Sequence, residues 1–447
     1  MTLLLKICLA SSLLGSLVLA DNPIVQTKYT ADPAPLIYND TIYLFTGHDE
    51  DGSTGFNMLD WRLYTSTDMV NWQDRGSPAS LSTFAWADYN AWAGQTIERN
   101  GRFYFYVPVH RRGGEMAIGV GVSDNIEGPY EDAIGAPLVE NAEIDPSVFI
   151  DDDGQAYLYW GNPGLWYVRL NEDMISYSGE VNQVQLTTEG FGTRREGAND
   201  RPTAYEEGPW VYKRDGTYYL IYAANCCSED IRYATGPSVT GPWTYRGLVM
   251  ATEGRSFTNH PGVIDYKGNS YFFYHNGALP GGSGYTRSVA VEQFQYGSDG
   301  SIPQMAMSNA GAPQIETLNP YRRVEAETIA WSEGLSTEDC SEGGQNVADI
   351  NNGDYIKVAG VDFGDGATGF TARVASQANG GNIEIHLGST SGALVGTCSV
   401  PGTGGWQQWT DVDCEVSGAS GVEDVFFVFT GSGSDFLFNF NYWQFTQ

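Results

Sequence analysis

The chain repeats one local pattern five times: an alternating apolar strand, a tight polar turn and an aromatic strand. The five copies occupy residues 35–47, 95–109, 146–161, 209–224 and 261–277. Each predicts a β-hairpin, because dipeptides such as Asn-Gly and Asp-Gly reverse a chain between alternating strands. Successive turns lie 61, 52, 63 and 53 residues apart, a period typical of four-stranded propeller blades. We therefore predict an all-β fold that begins with a five-bladed β-propeller; a large β-sandwich is the alternative.

Four of these hairpins are preceded, at one register position, by an acidic residue or a histidine. Seven residues before the turn the chain places Asp32, Asp145, Glu207 and His260, and the second hairpin has Trp92 near the equivalent place. A proline follows each of the four, directly or after one glycine. The innermost strands of a propeller line its central channel, so equivalent positions converge. The sequence therefore predicts that these five side chains surround one depression.

Three carboxylates around one depression have two main chemical uses. Oxygen ligands of this kind bind divalent metal ions. Alternatively, one carboxylate activates water while a carboxylic acid protonates the departing oxygen of a glycoside. A third carboxylate nearby would raise the pKa of that acid. Asp-Pro and Glu-Gly-Pro can also simply begin strands, but three such starts in one register favour a functional site.

The motifs that carry these residues resemble family 43 glycoside hydrolases over about residues 24–300. The similar segments are 32–35, 143–149, 206–209, 259–263 and 272–277. The resemblance implies a five-bladed propeller and hydrolysis with inversion of the anomeric carbon. It makes Asp32 the general base, Glu207 the general acid and Asp145 the residue that raises the pKa of the acid and orients it. It selects Glu207 over Glu206, since strand alternation sends adjacent side chains to opposite faces.

Further roles around the depression also come from the resemblance. His260 matches a histidine near the axis that helps to hold a calcium ion or its waters. Arg287 matches an arginine that contacts the sugar. Trp92 could stack on a sugar face or belong to the core, and we expect His275 to be a hydrogen-bonded packing residue. The chemistry itself requires no cofactor.

The N-terminus indicates a secreted protein, and the acidic charge suits one. Residues 1–20 combine one lysine, an apolar run and a small-residue end, which is typical of a signal peptide. A formal net charge of −32 disfavours nucleic acid and anionic membranes as partners. Secretion permits disulfides, for which Cys398–Cys414 and Cys226–Cys227 are candidates, leaving Cys340. We expect a monomer.

A second domain follows the first. We predict a propeller domain over residues 21–296, a linker rich in small and polar residues over 297–322, and a β-sandwich of jelly-roll type over 323–447. Segments 324–327, 350–356, 404–407 and 438–443 resemble a family 6 carbohydrate-binding module.

The resemblance to this module implies two sets of binding residues. Tyr355 and Trp406 look like an aromatic pair that encloses a sugar ring, with Asn439 as a hydrogen-bonding partner. The calcium ligands would be Glu325 and Glu327, together with a third residue at a place often held by aspartate. That third residue is Asn441, whose neutral amide would weaken calcium binding.

The joint over residues 317–327 resembles that of arabinoxylan arabinofuranohydrolases. We therefore expect a secreted hydrolase of hemicellulose that releases α-L-arabinofuranose from arabinoxylan. A β-xylosidase, or an enzyme with both activities, is the alternative on the same scaffold. A non-catalytic sugar-binding protein and a metal-dependent enzyme are alternatives of other classes.

Overall fold

The computed structural model describes residues 21–196, 201–433 and 435–447, and these form an almost entirely β structure. The predicted signal peptide, residues 1–20, lies outside the described residues. Within the described part, no helix is long and apolar enough to cross a membrane.

The N-terminal part contains five antiparallel sheets in succession. The first sheet contains β1 (Thr30–Tyr38), β2 (Thr41–His48), β3 (Asp60–Ser66), β4 (Trp72–Asp74) and β5 (Ala79–Ser80). A 3-10 turn at Leu81–Thr83 leads into the second sheet, which contains β6 (Ala87–Tyr89), β7 (Gln95–Arg99), β8 (Arg102–Arg111), β9 (Met116–Ser123) and β10 (Glu131–Asp132).

The next three sheets follow without interruption apart from one short helix. The third contains β11 (Ser147–Ile150), β12 (Ala156–Trp160), β13 (Trp166–Leu170) and β14 (Tyr177–Gln183), and is followed by α1 (Thr188–Phe191). The fourth contains β15 (Tyr205–Arg214), β16 (Thr217–Ala224), β17 (Asp230–Gly236) and β18 (Thr244–Met250). The fifth contains β19 (Gly262–Tyr266), β20 (Asn269–Asn276) and β21 (Ser288–Phe294).

Each of the five sequence repeats forms one hairpin of one sheet. The pairs are β1–β2, β7–β8, β11–β12, β15–β16 and β19–β20. The leading strands contact their neighbours: β1 touches β7, β7 touches β11, β11 touches β15, and β19 touches β1. The Trp210 indole N–H donates to the Val263 carbonyl at 3.1 Å and joins β15 to β19. Leading strands of all five sheets therefore surround a common centre.

The C-terminal part packs two sheets around a second apolar core. Its strands are β22 (Val324–Glu325), β23 (Thr328–Ile329), β24 (Trp331–Glu333), β25 (Ser336–Asp339), β26 (Gln345–Ala348), β27 (Tyr355–Asp362), β28 (Gly369–Ala375), β29 (Gly380–Leu387), β30 (Ala393–Pro401), β31 (Thr410–Glu415), β32 (Val422–Thr430) and β33 (Asn439–Thr446). One sheet has the order β25-β26-β33-β28-β31, with β22 on β33, and the other has the order β24-β27-β32-β29-β30.

The two parts share a sheet. Strand β23 does not join the sandwich but pairs antiparallel with β4, so that it extends the first sheet of the N-terminal part. Side chains reinforce this joint: the Thr337 hydroxyl donates to Asp74 at 2.6 Å, and the Asn71 amide donates to the Ala359 carbonyl at 2.9 Å. The segment predicted as a linker buries Ile302 and Ala312 in the N-terminal core. The two parts are therefore joined both by the shared sheet with its side-chain contacts and by a connecting segment that packs on the N-terminal core.

Candidate active site

A cavity of about 230 Å³ opens where the leading strands converge. The five residues that the register placed around the depression line it, namely Asp32, Trp92, Asp145, Glu207 and His260, and so does Arg287, which the resemblance added. The cavity is also lined by Phe56, Asn162, Cys226, Cys227, Glu229 and Phe257. The register argument therefore located the cavity.

The three acidic motifs share a backbone feature at the residue before proline. That residue has positive φ in each: 53° at Asp32, 61° at Asp145 and 59° at Gly208. A residue before proline normally prefers extended backbone, and positive φ is unfavourable for any residue with a Cβ atom. In the third motif glycine adopts it without strain, and Glu207 stands one position earlier. Such departures concentrate at functional sites, where the surrounding structure maintains them.

Asp32 is held as a carboxylate. Its Oδ1 accepts a hydrogen bond from Arg287 at 3.1 Å and lies 3.3 Å from His275 Nδ1. Its backbone N–H donates to the same His275 nitrogen at 3.1 Å. Burial opposes ionisation, but the Arg287 charge and the His275 contact hold the pKa of Asp32 below its ordinary value. Asp32 is therefore ionised throughout the neutral range.

Glu207 is held as an acid. Burial and the charges of Asp32 and Glu206 raise its pKa to about 7, although Arg287 and a hydrogen bond from Asn162 oppose the rise. At neutral pH a substantial fraction of Glu207 therefore carries a proton. Its neighbour Glu206 is bound by Arg194 at 2.8 Å and also by Arg201, so that the two glutamates have separate environments.

Asp145 lies beside the acid. It is buried, and its Oδ2 accepts a hydrogen bond from the Gly208 backbone N–H at 3.0 Å. Burial and the charges of Glu207 and Asp32 raise the pKa of Asp145 well above its ordinary value. Because Asp145 and Glu207 repel each other as anions, their protons titrate as a pair. The hydrogen bond to Gly208 fixes the backbone immediately after Glu207.

Arg287 is oriented by a residue that the sequence analysis missed. Asp49 is fully buried and accepts from the backbone N–H, Nε and a terminal nitrogen of Arg287 at 2.8, 2.9 and 2.9 Å. The guanidinium lies 5.2 Å from the centre of the Phe56 ring. The geometry leaves one terminal nitrogen for Asp32. Asp49 lies just after β2 in no recognisable motif, so its role depends on tertiary contact alone.

The two histidines occupy different places. His260 lines the cavity with Nδ1 3.9 Å from Asp32 Oδ1, and burial lowers its pKa to about 4, so it is neutral at pH 7. His275 is buried behind Asp32, with Nε2 3.0 Å from the Thr258 carbonyl. The position of His275 agrees with the packing role expected of it.

Trp92 presents a partly buried ring to the cavity. Its indole N–H donates to the Phe56 carbonyl at 3.1 Å, and the two rings meet edge to face with centroids 5.9 Å apart. Flat apolar rings at the mouth of a polar cavity suit the C–H faces of a sugar.

Two further features of the cavity wall were not anticipated as site components. Cys226 and Cys227 are joined to each other and line the wall, and Glu229 lies next to them. Sequence reasoning considered the adjacent cysteines only as a disulfide and gave Glu229 no role. The Cα atoms of Cys398 and Cys414, the second predicted pair, are 5.1 Å apart, a separation that a disulfide can span, and Cys340 is buried.

In the sandwich the structure brings together two of the three predicted sugar-binding residues. Asn439 donates to the Trp406 carbonyl at 2.9 Å and to Glu338 at 2.6 Å. Tyr355 begins a strand of the other sheet, and its ring lies 6.1 Å from that of Phe426. None of the contacts of the described residues connects Tyr355 with Trp406. Two rings that enclose a sugar do not touch each other, so the joint role of Tyr355 and Trp406 stays a prediction.

Two of the three predicted calcium ligands have an oxygen without a hydrogen-bond partner. Among the described residues, Glu327 Oε2 and Asn441 Oδ1 are buried without a hydrogen-bond partner, and burial raises the pKa of Glu327 well above its ordinary value. Both Glu325 oxygens accept from Arg323, at 2.8 and 2.9 Å. Unsatisfied buried oxygens of this kind fit a hard cation such as Ca²⁺.

An ionised carboxylate and a protonated one facing the same cavity form the acid/base pair of a glycoside hydrolase. The chain belongs to the glycosyl hydrolases family 43, whose sequence profile matches residues 20–302, and a family 6 carbohydrate-binding module matches residues 325–447. Both resemblances drawn from the sequence are thereby confirmed, as is the class of enzyme, a glycosidase.

Individual relatives cover nearly the whole chain. The arabinoxylan arabinofuranohydrolase of Bacillus subtilis is 38% identical over 95% of this chain and 92% of its own length. A crystal structure of such an enzyme from B. subtilis, in complex with cellotetraose, aligns with a TM-score of 0.81 at 36% identity, covering 96% of this chain and 97% of the other. A family 43 β-xylosidase/α-arabinofuranosidase from a compost metagenome, with xylotriose and in a calcium-free form, aligns with a TM-score of 0.58 at 27% identity over 64% of this chain and 97% of its own.

Proposed function

We propose that this protein is a secreted, inverting α-L-arabinofuranosidase that removes arabinose branches from arabinoxylan. The observation that carries the proposal is a pair of carboxyl groups in one cavity, of which one has a lowered pKa and the other a raised pKa. Asp32 is held ionised by Arg287 and His275, while burial and neighbouring charge raise the pKa of Glu207 to about 7. Carboxyl groups driven apart in this way serve as base and acid.

The reaction follows from these two protonation states. Asp32 accepts a proton from a water molecule as the water oxygen attacks the anomeric carbon. Glu207 gives its proton to the glycosidic oxygen as the bond from that oxygen to the anomeric carbon breaks. Asp145 fixes the backbone of the acid through Gly208, and Arg287 keeps Asp32 oriented. Proton exchange with solvent then restores both carboxyl groups.

The size of the cavity and the relatives support a single pentose as its occupant. A volume of about 230 Å³ is below the range usual for drug-sized ligands, so one sugar residue fits better than an oligosaccharide. The B. subtilis relative, named as an arabinoxylan arabinofuranohydrolase, aligns with both domains. The compost enzyme, named for both activities, supports β-xylosidase activity as the second candidate.

We propose further that the five sheets are the blades of one closed propeller. The contacts between successive leading strands, from β1 through β19 and back to β1, support this arrangement. Such a ring places the strand starts around one axis. It explains why residues 113 positions apart, Asp32 and Asp145, face the same cavity.

The C-terminal module is proposed to bind hemicellulose through Tyr355, Trp406 and Asn439 and to hold a structural calcium ion through Glu325, Glu327 and Asn441. The amide–carbonyl contact that positions Trp406 supports the first role, and the unpartnered oxygens of Glu327 and Asn441 support the second. A water-mediated ion at His260 remains a separate proposal. We propose secretion from the sequence of residues 1–20, and a monomer as the active form.

Product analysis tests the function directly. The protein is incubated with arabinoxylan, and the released sugars are identified by chromatography while the anomeric form of the first product is followed by NMR. We expect free arabinose whose initial anomer is inverted. Xylose or xylobiose as the main product would favour the second candidate, and a retained anomer would contradict the mechanism.

A further inference from the structure

A fourth carboxyl group, that of Glu229, belongs to the cavity wall and has no part in the mechanism above. Its side chain is 2% exposed and lines the cavity. Oε2 accepts a hydrogen bond from the Asn259 backbone N–H at 2.9 Å. The backbone N–H of Glu229 donates to the Phe257 carbonyl at 3.0 Å. The residue is therefore fixed at both its main chain and one carboxyl oxygen.

The charged residues that act most strongly on Glu229 are acidic. Glu207, Glu206 and Asp145 act on it electrostatically, and burial together with the Glu207 charge raises the pKa of Glu229 well above its ordinary value. The salt bridges of the described residues include none to Glu229. Burial and the neighbouring carboxylates therefore favour the protonated form of Glu229, which is a neutral hydrogen-bonding group rather than a second base.

The other oxygen of Glu229 has nothing to bind. Oε1 is buried and has no hydrogen-bond partner among the described residues. A carboxyl oxygen of Glu229 and the sulfurs of Cys226 and Cys227 lie within 4.8 Å of one another. Apart from this carboxyl group, the sulfurs make this part of the wall apolar. A buried polar atom left unpaired is costly, and native structures normally pair such atoms with protein, water or ligand.

We propose that Glu229 is a specificity-determining residue, whose carboxyl group binds one ring hydroxyl of the pentose in the cavity. The Asn259 N–H occupies Oε2, so the proton sits on Oε1 and is donated to the sugar oxygen. The cysteine sulfurs beside it contact the adjacent C–H surface of the ring. The inference rests on the proposed function in one respect, that a pentose fills the cavity.

The arrangement has a consequence for substrate choice. A site that offers a buried hydrogen bond to a hydroxyl discriminates strongly against analogues without it, since the protein group is then left unpaired. A sugar whose hydroxyl at this position has the other orientation would incur the same cost. Glu229 thus contributes to discrimination among pentoses without contacting the bond that is cleaved.

The test compares Glu229→Leu, which removes both hydrogen-bonding atoms, with Glu229→Gln, which keeps a neutral donor and acceptor. Glu292→Leu is the matched control, because Glu292 is a partly buried glutamate whose contacts lie outside the cavity. Each protein is assayed with 4-nitrophenyl α-L-arabinofuranoside and its 2-, 3- and 5-deoxy analogues. Binding of L-arabinose and D-xylose to each folded variant is measured by calorimetry.

We expect Glu229→Leu to lower kcat/KM about tenfold or more with the complete sugar and not at all with one of the three deoxy analogues. For Glu229→Gln and Glu292→Leu, kcat/KM should stay within about threefold of the wild-type value. A change of that size is smaller than the effect of losing one typical hydrogen bond. Equal losses on all three analogues, or no loss at all, would overturn the proposal. A wild type that binds pentoses without hydrolysing them refutes the proposed function, and calorimetry on the Glu229 variants still decides this inference.

Discussion

Asn162 helps to set the pKa of Glu207, and thereby the pH above which the reaction slows. Its side-chain amide donates a hydrogen bond to the Glu207 carboxylate, and this bond stabilises the ionised form of the acid. Replacing Asn162 by alanine removes the donor while leaving burial and the neighbouring charges of Glu207 in place. The pKa of Glu207 should therefore rise above about 7, and the acid should keep its proton to higher pH.

The size of the shift can be worked from the contact. A hydrogen bond to a charged group contributes about 1.5 kcal/mol at the low end, and about 1.4 kcal/mol corresponds to one pKa unit. Glu207 is only partly buried, so the low end applies. A rise of about one unit increases the protonated fraction at pH 8 from about 9% to about 50%. Relative to its own optimum, the variant should be about fivefold more active there.

The assay is kcat/KM for 4-nitrophenyl α-L-arabinofuranoside from pH 4 to 10, which reports the ionisations of the free enzyme. The alkaline limb should move upward by about one unit, whereas activity at the acidic end should be unchanged, because the pKa of Asp32 lies below the assayed range. Asn171→Ala is the control, because Asn171 makes a similar amide contact, to Ser176 at 2.8 Å, outside the cavity. An alkaline limb that stays in place or moves downward would refute the assignment of Glu207 as the acid.

Three further outcomes follow from the same structure. Glu207→Gln should lower kcat/KM about 10²- to 10⁴-fold with 4-nitrophenyl arabinofuranoside and much less with the 2,4-dinitrophenyl substrate, whose leaving group needs no proton; equal losses would contradict a role as acid. Trp406→Ala and Tyr355→Ala should each weaken retention by xylan in affinity electrophoresis while kcat/KM on the nitrophenyl substrate is unchanged; full retention in Tyr355→Ala would exclude that ring from the sugar site. A chelator should lower the thermal unfolding midpoint, by roughly 2–4 °C per kcal/mol of lost binding energy, without abolishing hydrolysis, and calcium should restore it; an unchanged midpoint would exclude calcium from Glu327 and Asn441.

The parts of the site that the sequence predicts are those that recur in a local pattern. Turn dipeptides locate the hairpins, and counting back from them locates Asp32, Asp145 and Glu207, because a propeller brings equivalent positions together. Asp49 and Glu229 follow no such pattern. Each owes its role to residues distant in sequence, Asp49 to Arg287 and Glu229 to the 257–259 segment.

Tyr355 illustrates a different limit. The motif around it places the residue at the start of a strand, but the alternation of side chains along β27 decides which way it points. Ile356 and Val358 are buried in the sandwich core, so Tyr355 and Lys357 face outward, where Lys357 binds Asp21 at 2.8 Å. Similarly, nothing in Thr328–Ile329 announces that its partner strand is more than 250 residues away.

Strand β23 also fixes the position of the binding module relative to the cavity. A binding module on a flexible tether samples a volume, and its benefit depends only on effective concentration. Here Thr328 and Ile329 are locked to Gln73 and Trp72, so the distance and angle from Trp406 to the cavity are set. When the module binds xylan, the arabinose branches that lie at one fixed distance along the xylan chain from the module should be removed first. Partial digests of evenly substituted arabinoxylan should then show a preferred spacing between bare xylose units.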